Sequence, residues 1–367
     1  MATHSRLLLA GSMVSMTVLL LAGCGAAPEE SGTSAEQRDY KSCIVSDEGG
    51  FADKSFNENS YQGLKAAEKD YGIQIAEAES SSADQYGPHV NGMVQAGCDS
   101  IITVGFALAD TTKEVAQANS DVHFAIVDDG SIELDNVRPI VYDTAQAAFQ
   151  AGYLAAAQSK TGKVATYGGA QMPTVTIFMD GFAQGVDYYN KEKNADVELL
   201  GWDNKSQSGT FIGNFTDQTK GKTNTQNFLN QGADVIMPVA GPVGGGTLEA
   251  VSEHNAKNSD SAASVIWVDS DGYETNPNYQ DIILTSVQKK MKEAVESTIK
   301  DDIDGKFSNQ KYIGTLENGG VSLAPFHNFD DKVSAETKTE LEQIKDKIIS
   351  GQITVDTEGN PSSTSSS

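Results

Sequence analysis

The sequence predicts an α/β protein of two similar lobes, each built on a largely parallel sheet. Three features carry that expectation. Short apolar runs alternate with amphipathic stretches of helical length from Asp39 onward. The alternation restarts at Lys163-Val-Ala-Thr-Tyr-Gly-Gly169. The second pass also echoes the first: Gly97-Cys-Asp-Ser-Ile-Ile-Thr-Val matches Gly232-Ala-Asp-Val-Ile-Met-Pro-Val, Ile126-Val-Asp128 matches Trp267-Val-Asp269, and Gly49-Gly50 matches Gly168-Gly169. Two such lobes would turn the carboxyl ends of their strands toward a shared cleft.

The amino terminus reads as a targeting segment. Arg6 supplies a positive start, Leu7 to Leu20 a mostly apolar core, and Leu21-Ala22-Gly23-Cys24 follows. Small residues before a cysteine resemble the lipobox of bacterial lipoproteins, which implies cleavage after Gly23, acylation of Cys24 and a lipid anchor on the extracytoplasmic face. An ordinary signal peptide with a coincidental cysteine is the other reading, and both predict export. Residues 24–38, rich in Gly, Ala, Ser and Glu, read as a flexible tether.

Cys43-Ile-Val opens the first strand, and Gly49 and Gly50 break it. Ser55 and Glu58 have the spacing of a capping box, and Tyr61, Leu64, Ala67 and Tyr71 form one stripe of the helix that follows. Strands are expected at 73–78, 101–104 and 124–128, with helices at 84–97, 108–119 and 145–159. Beyond the second pass come a strand at 282–286, a helix at 289–299 and a terminal helix at 333–349; residues 351–367 are expected to be disordered. Outside the reducing cytoplasm Cys43 and Cys98 are free to pair. They stand at the starts of the first and third strands, which are commonly neighbours in doubly wound sheets. Two buried thiols are the alternative.

At 367 residues the chain has room for two domains, and an apolar fraction of 38% implies no membrane bundle. A formal charge of −25 argues against nucleic acid or anionic lipid as a partner. Enzymatic signatures are scarce. The five histidines are scattered without metal-ligand spacing, and no G-x-S-x-G elbow appears. Gly241-Pro-Val-Gly-Gly-Gly246 is not followed by Gly-Lys-Ser/Thr, so it reads as a close-approach turn and not a phosphate loop. No metal, cofactor or catalytic residue is expected.

Asp47, Asp128 and Asp269 each end an apolar strand or stand just beyond one. They are either local caps or acceptors for a polyhydroxylated ligand such as ribose. Phe56 and Phe215 sit in polar surroundings, Lys-Ser-Phe-Asn and Gly-Asn-Phe-Thr-Asp. Each either packs on its own lobe or stacks on a flat base, worth about 1–3 kcal/mol per base.

A series of motifs in order, over about residues 40–350, resembles the basic membrane protein family of ABC-transporter substrate-binding lipoproteins, of the purine nucleoside receptor type. The motifs include Asp47-x-Gly-Gly-x-x-Asp53-Lys-Ser-Phe-Asn57, Val104-Gly-Phe-Ala-Leu-Ala-Asp110, Gly168-Gly-Ala-Gln-Met-Pro173, Phe215-x-Asp217-x-x-Lys-Gly-Lys222, Val268-Asp-Ser-Asp271 and Leu284-Thr-Ser-Val-Gln-Lys289. The resemblance implies a type I periplasmic-binding fold with three crossing strands: a first lobe of 39–143 plus about 271–312, and a second of 144–270 plus about 313–350. It implies a monomeric receptor that closes on a nucleoside and presents it to a membrane permease. Phe56 and Phe215 would sandwich the base, with Phe106 nearby. Asp47 and Asn57 would bind polar edges, Asp128 and Asp269 or Asp271 the ribose hydroxyls, Gly241 would offer backbone groups, and Lys289 a donor. The sequence departs from the family pattern at Gly241-Pro-Val-Gly and in the insertion-like segment Trp202–Gly213. A receptor for a free sugar or signalling molecule, a surface nucleoside hydrolase and an adhesive surface protein are the rival readings.

Overall fold

The computed structural model describes residues 37–258, 262–359 and 361. The expected targeting segment, Cys24, nearly all of the tether and the last six residues lie outside the described residues.

The first pass runs β1 (Lys41–Ser46), α1 (Phe56–Tyr71), β2 (Gln74–Ala78), α2 (Tyr86–Gln95), β3 (Ser100–Val104), α3 (Ala109–Ala118), β4 (His123–Val127) and β5 (Val137–Tyr142). The second runs α4 (Thr144–Gln158), β6 (Lys163–Gly168), α5 (Pro173–Lys193), β7 (Glu198–Leu200), the hairpin β8 (Trp202–Asp203) and β9 (Ser208–Gly209), α6 (Gln218–Asn230), β10 (Val235–Val239), α7 (Gly244–Lys257) and β11 (Ser264–Asp269). There follow α8 (Gly272–Thr275), β12 (Ile283–Lys289), α9 (Met291–Ile303), β13 (Tyr312–Gly314), β14 (Val321–Leu323) and α10 (Ala335–Ile349).

Two six-stranded sheets result among the described residues, ordered β2-β1-β3-β4-β5-β13 and β7-β6-β10-β11-β12-β14. Every pairing in them is parallel except β12 with β14. The two orders superimpose strand for strand, so the echo in the sequence reflects two copies of one doubly wound topology. Both sheets are covered by helices on both faces, which explains their continuous apolar strands. Ile44, Ile102 and Val127 belong to one core with Met237, Ile266 and Leu284, so apolar packing runs unbroken from lobe to lobe. Gly152 and Gly185 let α4 and α5 meet backbone to backbone: a Cβ on either would stand 2.0 Å from a carbonyl oxygen of the facing helix.

The chain crosses between lobes three times, at Asp143, at Lys290 and between β13 and β14. The crossings are tied together: Asp143 N–H donates to Gly314 O at 2.8 Å and Lys290 N–H to Gly320 O at 2.9 Å. The second crossing corrects the expected boundary. Residues 271–289 belong to the second lobe, because β12 pairs with β11 from Ile283 to Gln288 and only α9 returns to the first. Lys289, expected to open a helix, is the last residue of a strand.

Other departures have local causes. β5 was not expected, since Arg138 and Pro139 interrupt its apolar run; Pro139, lacking an N–H, stands where β13 does not reach. Ser55 caps nothing with its side chain. Asp53 does so instead, accepting from the backbone N–H of Ser55, Asn57 and Glu58 at 2.8–3.0 Å, while Glu58 reaches back to the N–H of Lys54. The expected disorder from residue 351 is also corrected through residue 359. Val355 is buried, Gln184 clamps the backbone of Asp356 through both amide atoms, and Thr357 donates to Asp180. Cys43 and Cys98 form a disulfide.

Candidate functional site

Between the lobes, where strand ends of both sheets converge, lies a cavity of about 260 Å³. It is lined from the first lobe by Asp47, Phe56, Asn57, Phe106 and Asp128, and from the second by Phe215, Gly241, Asp269 and Lys289. Nine of the ten expected ligand residues therefore share one space. The tenth, Asp271, does not line it. Its carboxylate caps α8 through Tyr273 N–H and meets His327 Nε2 at 2.8 Å.

The centre of the site is Lys289. Its ammonium lies 2.5 Å from Asp128 Oδ2 and 3.6 Å from Asp269 Oδ1, and all three residues are buried. Phe178, Phe56 and Tyr142 ring the cation, with centroids 5.0, 5.2 and 5.9 Å from Nζ. Burial alone would lower the pKa of Lys289, but the two carboxylates outweigh it and hold the ammonium above its ordinary value. Burial pushes both carboxyls up, against the pull of Lys289. Asp128 and Asp269 both adopt left-handed backbone, with φ of 66° and 69°. Such strain in non-glycine residues costs on the order of 1–3 kcal/mol and clusters where a side chain must be aimed.

At the start of α1, Asn57 Nδ2 donates to Asp47 Oδ1 at 2.8 Å and to Asp53 Oδ2 at 3.1 Å. That amide orientation leaves Asn57 Oδ1 buried without a partner among the described residues, and Asp269 Oδ1 has no hydrogen-bond donor among them. Two buried acceptors beside the cavity are thus unmatched. Burial raises Asp47 to about 6, opposed by the hydrogen bonds from Asn57 and from Gly49 N–H. Gly105, at φ 115°, lets this carboxylate approach: a Cβ there would stand 2.6 Å from Asp47 Oδ2.

The segment after β9 explains Phe215. It follows the end of β6 through Gly168 N–H to Thr210 O, Ile212 N–H to Gly168 O and Gly213 N–H to Gly169 O. The rings of Phe211 and Phe215 lie so close over Gly168 and Gly169 that a Cβ on either would be 2.4–2.5 Å from a ring carbon. The double glycine is a bed for aromatic rings, and the hairpin before it, fixed by Trp202 Nε1 on buried Asp180, sets their position.

Contacts between the lobes also touch the site. Ser55 Oγ donates to Asp269 Oδ2 and to Val268 O, both at 3.1 Å. The carbonyl of Lys54, itself left-handed at φ 58°, accepts from Ser270 Oγ at 2.7 Å and Trp267 Nε1 at 3.3 Å. Sequence reasoning missed Ser55 in this role, and it missed Phe178 on α5 and Met172 just before it as cavity walls, since an apolar residue gives no local sign of facing a cleft. Among the described residues no group of three or more His, Cys, Asp or Glu is arranged to hold a metal ion, and no helix is long and apolar enough to cross a membrane.

Residues 40–358 match the family model described as ABC transporter substrate-binding protein PnrA-like. Among relatives, the chain is 30% identical over 363 residues to the ABC transporter nucleoside-binding protein BmpA of Lactococcus lactis, covering 95% of this chain and 98% of that one. It is 29% identical to basic membrane protein A of Borreliella burgdorferi, covering 84% and 85%. Among solved structures, an ABC transporter solute-binding protein of Aeropyrum pernix superimposes with a TM-score of 0.79 at 25% identity, over 89% of this chain and 94% of that one. One from Conexibacter woesei does so at 0.66 and 20% identity, over 87% and 99%. The two-lobed architecture is the type I periplasmic-binding fold, and the chain belongs to the PnrA-like family of ABC transporter substrate-binding proteins.

Proposed function

We infer that the protein is the nucleoside receptor of an ABC importer, purine-preferring, and that it does no chemistry on its cargo. The observation that carries this reading is the joint presence, in one interlobe cavity, of two aromatic rings from opposite lobes and two strand-end carboxylates sharing one ammonium. A flat base between Phe56 and Phe215 and a vicinal diol at Asp128 and Asp269 would use both halves of that arrangement. Asp47 and Asn57 would meet the polar edge of the base, and Gly241, whose Cβ position is open, would leave its backbone accessible. Ligand spanning both lobes would favour the closed form, which a permease reads. The relative named for nucleoside binding supports the same ligand class. Acylated Cys24 would tether the receptor, as a monomer, to the outer face of the cell membrane.

Isothermal titration with purine and pyrimidine nucleosides, free bases and pentoses tests this. Nucleosides are expected to bind at micromolar dissociation constants or tighter, with bases and pentoses at least 100-fold weaker. Failure of every nucleoside to bind at micromolar levels would overturn the reading, and release of free base on incubation would overturn the absence of catalysis.

A further inference from the structure

We propose that the cleft has a second compartment, which takes a neutral hydroxylated group attached to the sugar of the bound nucleoside; this rests on the nucleoside reading above. A cavity of about 290 Å³ adjoins the first, and the two share Phe106, Asp128, Thr174 and Lys289 as walls. The shared residues include the carboxylate and ammonium assigned to the ribose. A substituent on the sugar would therefore stand beside the second space, whereas Phe215 and Gly241, assigned to the base, do not line it.

The chemistry of the second compartment is polar and balanced. Tyr142 lines it, is 3% exposed, and its hydroxyl has no hydrogen-bond partner among the described residues. Such a buried hydroxyl costs about 1–3 kcal/mol until something pairs with it. Asp129, buried on the same lining, accepts from the N–H and the Oγ of Ser131 on one oxygen. On the same lining the ammonium of Lys311 lies against Gly130, where a Cβ would be 3.0 Å from Nζ. The compartment thus holds one further carboxylate and one further ammonium, while Asp128 is already matched by Lys289. A phosphate would find no surplus of positive charge here, inside a protein of formal charge −25. Hydroxyls can donate to the carboxylate and accept from the ammonium and the tyrosine.

The outer wall is the carboxyl-terminal segment. Anchored by Thr357 on Asp180 and by Gln184 on the backbone of Asp356, it carries Gly359 and Pro361 to the edge of this cavity, against the start of α5. That wall gives the compartment a shape independent of the nucleoside pocket.

The experiment is titration of the full mature chain with adenosine, 5′-O-glucosyl adenosine, 2′-O-ribosyl adenosine and adenosine monophosphate, in the wild type, in Ser131→Tyr and in a chain ending at Thr357. At least one glycosylated adenosine is expected to bind within tenfold of adenosine. Ser131→Tyr, which fills the compartment from an exposed position, should weaken that ligand at least tenfold and leave adenosine unchanged. The shortened chain should weaken it as well. The inference is overturned if both glycosylated ligands bind more than 100-fold below adenosine, if neither variant discriminates between them and adenosine, or if the monophosphate binds as tightly as adenosine. Failure of adenosine, guanosine, uridine and cytidine alike would overturn the nucleoside reading itself.

Discussion

Asp128 and Asp269 are equivalent residues of the two lobes. Asp128 directly follows and Asp269 ends the fourth strand of its sheet, each turns through left-handed backbone, and both carboxylates close on the single ammonium of Lys289. The internal repeat has become a two-sided grip, with the cation supplied by the strand that leads back across the hinge. From that arrangement the behaviour of several variants can be worked out.

Lys289→Met should be among the most damaging substitutions. Removing one member of a buried ionic cluster leaves uncompensated charge and costs about 3–5 kcal/mol. With the cation gone, both buried carboxyls favour their neutral forms. The folded variant then binds more protons than the unfolded chain above pH 4, so its stability should fall as pH rises. Thermal melts at pH 5 and pH 7 check this: the deficit relative to wild type should be smaller at pH 5.

Asp47 carries a pH dependence of its own. Its pKa is raised by burial from 3.8 to about 6, so between those values the folded state holds a proton that the unfolded chain has lost. Ionisation therefore lowers stability as pH climbs through this window, by about 3 kcal/mol at most. Asp47→Asn retains an oxygen for the Asn57 amide and does not ionise. Relative to wild type it should gain stability from pH 4 to pH 7 in denaturant titrations.

Phe56→Ala and Phe215→Ala should each weaken nucleoside binding by about ten- to a hundredfold, the value of one stacking face. Gly169→Ala should mimic Phe215→Ala, because the new methyl would occupy the place of the ring. Calorimetric titration reads both effects. Normal binding by Gly169→Ala would mean that Phe215 takes no part.

Ser55→Ala removes the hydroxyl that joins the first lobe to Asp269. The helix cap remains, since Asp53 provides it, so stability should fall only by about 1–3 kcal/mol, the cost of a buried acceptor left unpaired. Nucleoside affinity should fall about three- to thirtyfold, the loss of a hydrogen bond to a charged group that orients the carboxylate.

Reduction of the Cys43–Cys98 disulfide opens a link between residues 55 apart in sequence. In the chain-entropy account such a loop stabilises by about 4 kcal/mol. The double variant Cys43→Ser/Cys98→Ser should melt well below wild type yet bind nucleoside normally, since neither cysteine lines the cavity.

Much of this was legible in the sequence, for identifiable reasons. Asp128 and Asp269 each close an apolar run, and a polar residue at the end of a buried parallel strand has few places to face except the cleft. Phe56 and Phe215 stood out because their neighbours are polar. What failed were inferences from local spacing alone. Ser55 and Glu58 have the capping-box interval, but the hydroxyl is taken by a carboxylate 214 residues away, and Asp53 inherits the cap. Lys289 was expected to open the helix at 289–299, yet pairing with Val321 of β14 draws it into the sheet. Asp269 and Asp271 are separated only by tertiary structure: one faces Lys289, the other is spent on α8 and His327. The insertion-like segment carried no recognisable signal, although its packing on Gly168 and Gly169 sets the position of Phe215.

The central claim is that a base lies between the rings while a sugar diol meets the paired acids. Comparing the affinity of a nucleoside with that of its 2′,3′-dideoxy form tests it most directly. Loss of both hydroxyls should weaken binding by about a hundredfold or more, because each would have bonded a buried carboxylate. Equal affinity of the two ligands would contradict the account.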